Sequence, residues 1–600
     1  MSQATSPSRR ARDSRKYPIF HALCSYSRRE QRGIGSADEA TRALPNTGRI
    51  GAAIDKSIQS ITILSTPGIQ GQRRLFTQLV DGSRREKNRR QTLAKKAILG
   101  TIGGLKGNLG LVIPSTQPAR LPEWSMRMTI WMKKSLVTAC LLATVAAGGA
   151  LEAADWERFR GPHALGVADG ATLPETMDPR TDALWKATVP SGKSSPIIVG
   201  EKIFLTAHDD DERLVLCFDR GTGRELWRRA IAAPRTDRRN RLNDAAAPTA
   251  VSDGERVYAF FSEFGLVAYS LDGAEIWKRP LGPFQTEHGM STSPILADGK
   301  LILVVDQFDD AYIAAFNPSD GEIVWKTPRR GYTGSYGTPT DRPTANGVEI
   351  LVNGGHHMGS YSASTGELLW TLSGVSFQPK STPTFHGDMV YFYTSAATER
   401  MASFERTAAR FDANKDDLLT PDEVRAGYLR HLMTDQMDTN SDGFVTLAEW
   451  NAVTDRFKRS GGVWGLLPGA HRGELPDSAI LWSHDKSLPV VPSPLVYHDV
   501  LYLIRDGGIL TSFDPVTGEI FKQGRLPDAI GTYYSSPVAG DGKLYMGNEE
   551  GMLTVVRAGP QWSVLASYDF GEPVNATPAL VDGRIYLRAG ESLYCFGRRD

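Results

Sequence analysis

Along the C-terminal two-thirds of this chain, apolar residues come in short blocks separated by turn formers rather than at helical spacing. Between Ser293 and Lys326, the pair Ile295-Leu296 ends at an Asp298-Gly299 turn. The run Leu301–Val305 follows, then the polar turn Asp309-Asp310 and a second run, Tyr312–Phe316. A tight loop, Asn317–Gly321, leads to a last stretch ending at Trp325. Four short β-rich runs between Gly, Asp and Asn turns predict one antiparallel four-stranded sheet, with no room for a helix of ordinary length.

This unit repeats, and each copy opens with a small residue followed by proline: Ser195-Pro196, Ala247-Pro248, Ser293-Pro294, Thr338-Pro339, Thr382-Pro383, Ser493-Pro494, Ser536-Pro537 and Thr577-Pro578. The spacings are 52, 46, 45, 44, 111, 43 and 41 residues. A period near 45 residues marks a radial or solenoid array. A glycine followed four residues later by tryptophan recurs as Gly223/Trp227, Gly273/Trp277, Gly321/Trp325 and Gly366/Trp370. The glycine allows the positive φ of the hairpin loop, and the indole is placed for a neighbouring sheet to cover. Trp482 takes this role in the fifth unit, and Phe521 and Leu565 in the sixth and seventh.

The eighth unit stops after its third run, Ser592–Phe596, and a matching fourth run, Leu184–Val189, stands ahead of the first repeat. An N-terminal strand completing the last blade removes the open sheet edges. The expected fold is therefore all-β: an eight-bladed β-propeller of four-stranded blades, closed by an N-terminal strand. Seven blades plus a stray hairpin is the runner-up.

The long interval holds two twelve-residue loops, Asp412–Glu423 and Asp438–Glu449. Both follow the EF-hand pattern, in which oxygens at positions 1, 3, 5, 7, 9 and 12 surround a hard cation. The candidate ligands are Asp412, Asn414, Asp416, Leu418 (carbonyl), Thr420 and Glu423, then Asp438, Asn440, Asp442, Phe444 (carbonyl), Thr446 and Glu449. Leu419 and Val445 stand where paired loops form a short bridge, and Val424–Met437 is long enough for exit and entry helices. Gly443 suits the sharp turn at position 6; Asp417 does not, so the first site is expected to bind calcium several-fold more weakly. Two Ca2+ ions are expected in a small α-helical insertion, in a structural or docking role rather than as a sensor.

The run Asp219-Arg220-Gly221-Thr222-Gly223-Arg224-Glu225-Leu226-Trp227 resembles the repeat of pyrroloquinoline-quinone (PQQ)-like β-propellers. The resemblance covers about residues 155–395 and 463–600, and Trp156–Pro162 is similar to the start of secreted bacterial members. It implies the propeller fold. The family includes both quinoprotein dehydrogenases and non-enzymatic outer-membrane-assembly propellers, so it leaves function open. The adjacent cysteines of the alcohol dehydrogenases and a Cys-x-x-Cys-His haem site are missing from this sequence, and no PQQ-binding residue carries over.

Charge divides the chain. Residues 1–134 carry 25 Lys/Arg against 8 Asp/Glu, whereas the rest is near −16. An acidic propeller argues against nucleic-acid partners. Met132-Lys133-Lys134, the apolar run Leu136–Ala150 and the small residues to Ala154 form a secretory signal peptide in all but position. The expected domains are 1–131, a basic extension read as disordered or as a start-site artefact, and 132–154, the signal peptide. They continue with 155–395 (propeller), 396–462 (EF-hand pair) and 463–600 (propeller). A periplasmic or secreted monomer follows, touching a membrane only through an uncleaved signal anchor. Of Cys24, Cys140, Cys217 and Cys595, the last two survive processing, and free buried thiols are preferred over a disulfide.

Candidate chemistry outside the insertion centres on Gln285–Met290, where His288 is joined by Asp306 and Gln307 as candidate ligand-binding residues. The competing reading has these side chains bonding inter-blade turns. The adjacent His356 and His357 point to opposite faces of a strand. Two functions are carried forward. The first is an exported calcium-binding scaffold whose envelope partner or small-molecule ligand is unknown. The second is a PQQ- and calcium-dependent oxidoreductase, which rests on resemblance alone.

Overall fold

The computed structural model describes residues 155–598, apart from 241, 309, 330–333, 376–377, 395–401, 425–436 and 455–460. The basic extension, the signal peptide, Cys24 and Cys140 lie outside the described residues. Eight antiparallel sheets follow one another as the blades of a propeller.

Blade 3 shows the pattern: Ile295–Ala297, Lys300–Val305, Tyr312–Phe316 and Ile323–Pro328 pair in chain order. The middle strands read as unbroken apolar runs because both sheet faces are covered by neighbouring blades. In blade 1, Ile203 and Leu205 face a cluster shared with blade 8, while Phe204 between them faces blade 2. The core is therefore distributed over the blade interfaces.

Blade 8 consists of Ala579–Val581, Arg584–Ala589 and Ser592–Phe596, and its outer strand is Ala183–Thr188, with Trp185 opposite Cys595. Blade 4 gains a short parallel fifth strand, Gly473–Glu474, beside Leu368–Ser373. In blade 5 the second strand, Met389–Thr394, pairs with the third, Gly462–Leu466, so the insertion sits in that hairpin.

The residues that open the units form a ring of their own. At seven of the eight blade junctions the backbone N–H donates to the hydroxyl of the next blade's residue: first Ser195 to Thr249, Thr249 to Ser293 and Ser293 to Thr338, at 2.9–3.1 Å. The relay resumes from Thr382 to Ser493, Ser536, Thr577 and back to Ser195, at 2.9–3.0 Å. These bonds correct one reading of the repeat. In blade 2 the equivalent residue is Thr249, directly after the Ala247-Pro248 pair, because the hydroxyl and not the proline is what the neighbouring blade requires.

The repeated glycine has a second purpose besides its turn. A Cβ on Gly366, where φ is 76°, would lie 2.4 Å from the Trp325 ring of the preceding blade. That indole also donates to the Ala363 carbonyl at 3.2 Å. The same indole-to-turn bond joins Trp185 to Arg220, Trp227 to Leu271, Trp277 to Pro318 and Trp482 to Pro515. Trp370 differs: its blade 5 neighbour has no such turn, and Leu475 and Ala479 of a longer loop pack with it. Between blades 6 and 7, Phe521 is joined by Trp562 from the following blade.

Residues 155–175 cross the inner strands. Trp156 exchanges backbone bonds with Ile198 of blade 1, and Ser252 N–H of blade 2 donates to the Glu157 carbonyl. Arg158 reaches the Leu296 carbonyl of blade 3 and Asp341 of blade 4, at 3.2 and 2.6 Å. Arg160, fully buried, donates to the Pro494 carbonyl before blade 6 at 2.9 Å, and Gly166 and Ala168 bond Ala539 of blade 7.

Within the insertion, helices α1 (Phe404–Phe411) and α2 (Leu447–Thr454) flank the loops. Ser403 caps α1. Phe404, Leu419, Val424, Met437, Val445 and Trp450 form a separate small core.

Candidate functional site

The two insertion loops share one backbone. Positions 4 and 6 have positive φ in both: 61° and 60° at Lys415 and Asp417, 60° and 87° at Ser441 and Gly443. Asp417 thus occupies the left-handed conformation that Gly443 adopts without strain. Leu419 and Val445 exchange backbone bonds of 3.1 and 2.8 Å, tying loop to loop.

The acidic side chains hold corresponding places. Asp412 accepts from the N–H groups of Lys415 and Asp417, at 2.6 and 3.1 Å. Asp438 accepts from Asp442 and Gly443, at 3.0 and 2.9 Å. Asp416 and Asp442 each accept an amide bond from a neighbouring asparagine side chain, Asn414 or Asn440. The last-position carboxylates fold back over the loops. Glu423 accepts from Ala413 and Thr420 N–H, and Glu449 from Thr439 and Thr446 N–H, at 2.9–3.1 Å. Desolvation pushes both glutamates up, but these backbone and threonine hydroxyl bonds outweigh it and hold them below the usual range. Among the described residues no three His, Cys, Asp or Glu side chains converge into a ready metal cage. Each loop instead combines carboxylate, amide, hydroxyl and carbonyl oxygens, a hard-cation donor set.

A second polar cluster gathers three inter-blade connections. Gln378 donates to Glu287 at 2.8 Å, and His288 Nε2 lies 3.4 Å from Gln378 Oε1 and 4.0 Å from Glu287. The His288 ring stands 5.4 Å from that of Tyr336, whose hydroxyl is buried. Lys380 donates to the Gln378 carbonyl, and its ammonium is pushed down by burial against the opposing pull of Glu287. The arrangement offers donors, an acceptor and a cation to a polar ligand.

Asp306 and Gln307 stand apart from it. Asp306, fully buried, receives Arg329 through two nitrogens at 2.6 and 2.9 Å, and Ser335 also donates to it. Gln307 accepts from Gln285 N–H and donates to the Asp310 carbonyl. His356 is pushed down to about 3, chiefly by burial, and His357 Nδ1 donates to the Gly355 carbonyl. Cys217 and Cys595 are free and buried in different clusters, their thiols pushed up to about 12 and about 11 by desolvation.

Sequence reasoning missed Glu287's partners Gln378 and Lys380, which lie about ninety residues downstream and meet it through ring geometry. Period matching of the inter-blade connections could have found them.

Comparison with known proteins adds the family. A family model described as outer membrane protein assembly factor BamB matches residues 180–327, 264–408 and 309–600. BamB of Burkholderia pseudomallei (strain K96243) is 27% identical over 215 residues, which are 34% of this chain and 51% of that protein. The match thus spans about half the length of the curated relative. The crystal structure of BamB from Moraxella catarrhalis aligns over 69% of this chain and 99% of its own, at 11% identity and TM-score 0.44. Quinohemoprotein alcohol dehydrogenase from Comamonas testosteroni aligns over 76% and 83%, at 11% identity and TM-score 0.49. Since the family model runs through every repeat unit from residue 180 to the C-terminus, the chain belongs to the outer membrane protein assembly factor BamB family.

Proposed function

We propose that the protein is an exported, calcium-binding propeller of the BamB family that serves as a binding or scaffold protein in the cell envelope. The observation that carries the calcium reading is the pair of twelve-residue loops with one shared backbone, bridged through Leu419 and Val445 over a common core. Asp412, Asn414, Asp416, Thr420, Glu423 and the Leu418 carbonyl would hold one ion. Asp438, Asn440, Asp442, Thr446, Glu449 and the Phe444 carbonyl would hold the other. Held by these oxygens, a hard cation would offset the repulsion among the loop carboxylates and stabilise the ordered insertion. The insertion leaves the second strand of blade 5 at the sheet end where the inter-blade connections also lie. A partner docking there would meet both. Residues 132–154 supply the export signal.

PQQ chemistry fits this chain poorly. The two described cysteines are on different blades, so there is no vicinal pair, and residues 156–168 already lie across the inner strands.

Limited proteolysis of the full chain tests the proposal. Calcium should suppress cleavage within 396–462, and a double variant, Glu423→Gln with Glu449→Gln, should be cut equally with calcium or chelator. Wild-type protein cut at the same rate with and without calcium contradicts it.

A further inference from the structure

The seam between blades 8 and 1 holds a cavity of about 260 Å3. One side carries Arg588, from the second strand of blade 8, and Asn575; another carries Lys193 and His208. Arg588 is 1% exposed. It donates to Ser194 Oγ at 3.2 Å and to the carbonyls of Thr206 and Pro190 at 2.9 and 2.6 Å. Among the described residues its Nε has no acceptor, and the Asn575 Oδ1 has no donor. Among the described residues no carboxylate forms an ion pair with this guanidinium.

A buried cation facing neutral oxygens is costly. Burial lowers the Arg588 pKa to about 10, so the group stays charged at neutral pH. Asp244 and Glu591 also line the cavity and oppose that shift through space, beyond contact distance. Both are turned to other partners: Asp244 accepts from Ala246 N–H at 2.8 Å, Glu591 from the Ser191 hydroxyl at 2.9 Å. Desolvation lowers the pKa of His208, which removes it as a third cation. The wall thus presents two cations and two anions that do not neutralise one another directly.

We propose that this seam cavity binds a small zwitterion of the free amino-acid type. Its carboxylate meets Arg588 and Lys193, and its ammonium group meets Asp244 and Glu591. A simple anion would face two carboxylates, a simple cation would face Arg588, and a neutral sugar would leave the guanidinium uncompensated. The volume falls just below the roughly 300–1,000 Å3 of drug-sized sites, which suits a metabolite. Gly192 belongs to the design, because a Cβ there would come within 2.8 Å of Arg588 Nη2.

The test is calorimetric titration of the full-length protein with a panel of free L-amino acids, and with acetate and methylamine. The expected result is saturable binding of at least one amino acid at millimolar concentration or below, and at least tenfold weaker binding of acetate and methylamine. Asp244→Asn and Lys193→Ala should each weaken amino-acid binding about tenfold, which corresponds to about 1.4 kcal/mol, without moving the thermal unfolding midpoint. Acetate binding as tightly as the amino acids, affinity unchanged in both variants, or no binding across the panel overturns the proposal.

Discussion

The backbone N–H of Thr577 donates to the hydroxyl of Ser195 at 2.9 Å, across 382 residues of chain. This bond is the last step of the hydroxyl relay, and it joins the final blade to the first. A radial array whose ends meet in this way has no end blade with an uncovered face.

The relay predicts which residue of blade 2 carries the load. Thr249→Val keeps the shape but leaves the buried Ser195 N–H without its acceptor, at a cost of about 1–3 kcal/mol. Thr249→Ser should be nearly neutral. Urea unfolding of the full chain measures both. A loss in Thr249→Ser equal to that in Thr249→Val would show that packing, not the hydroxyl, sets the effect.

Gly366→Ala should destabilise through strained φ and through collision with the Trp325 ring, by about 1–3 kcal/mol in all. The added methyl would also press on the Thr327 hydroxyl, so Trp325→Leu should absorb only the part of the penalty owed to the ring, and a double-mutant cycle reads that coupling. Additive losses would show that the Trp325 ring takes no part in the penalty.

The crossing segment has a pH signature. Asp341 accepts from Arg158 at 2.6 Å and from His163 Nδ1 at 2.7 Å. The bond to Asp341 raises His163 above its ordinary value near 6.5, against the opposing effect of burial. Its stabilising contribution is therefore complete below that value and is lost as pH rises through the raised one. For Asp341, burial pushes upward, but His163 and Arg158 outweigh it and the pKa falls. That contribution is present above the ordinary carboxylate value and is lost as pH falls through the depressed one. His163 is 41% exposed, so its share should stay under about 1 kcal/mol. Urea midpoints from about pH 5 to about pH 9 should fall on the alkaline side in wild type and flatten in His163→Asn.

Much of the ring was legible because burial on both sheet faces leaves unbroken apolar strands, and because the Gly-to-Trp spacing repeats. Two features were not. Proline marks the start of all eight units, and in seven a hydroxyl residue directly precedes it; in blade 2 the neighbouring blade instead senses the Thr249 hydroxyl after Pro248. Trp156–Pro162 carried only a resemblance to the start of secreted family members, since a buried Arg160 bonded to a carbonyl 334 residues away leaves no local pattern. Trp562 was missed for a related reason: it covers Phe521 from the following blade, outside the repeat frame. Of the candidate sites, the two insertion loops carry their candidate ligands within twelve residues each. The Glu287–Gln378–Lys380 cluster exists only once the blades are in place.

Calcium calorimetry on the full chain, first stripped with chelator, bears most directly on the account. Two ions should bind per chain, the weaker at the loop containing Asp417, with one site lost in Glu423→Gln and the other in Glu449→Gln. A flat titration, or heats unchanged in both variants, would contradict it.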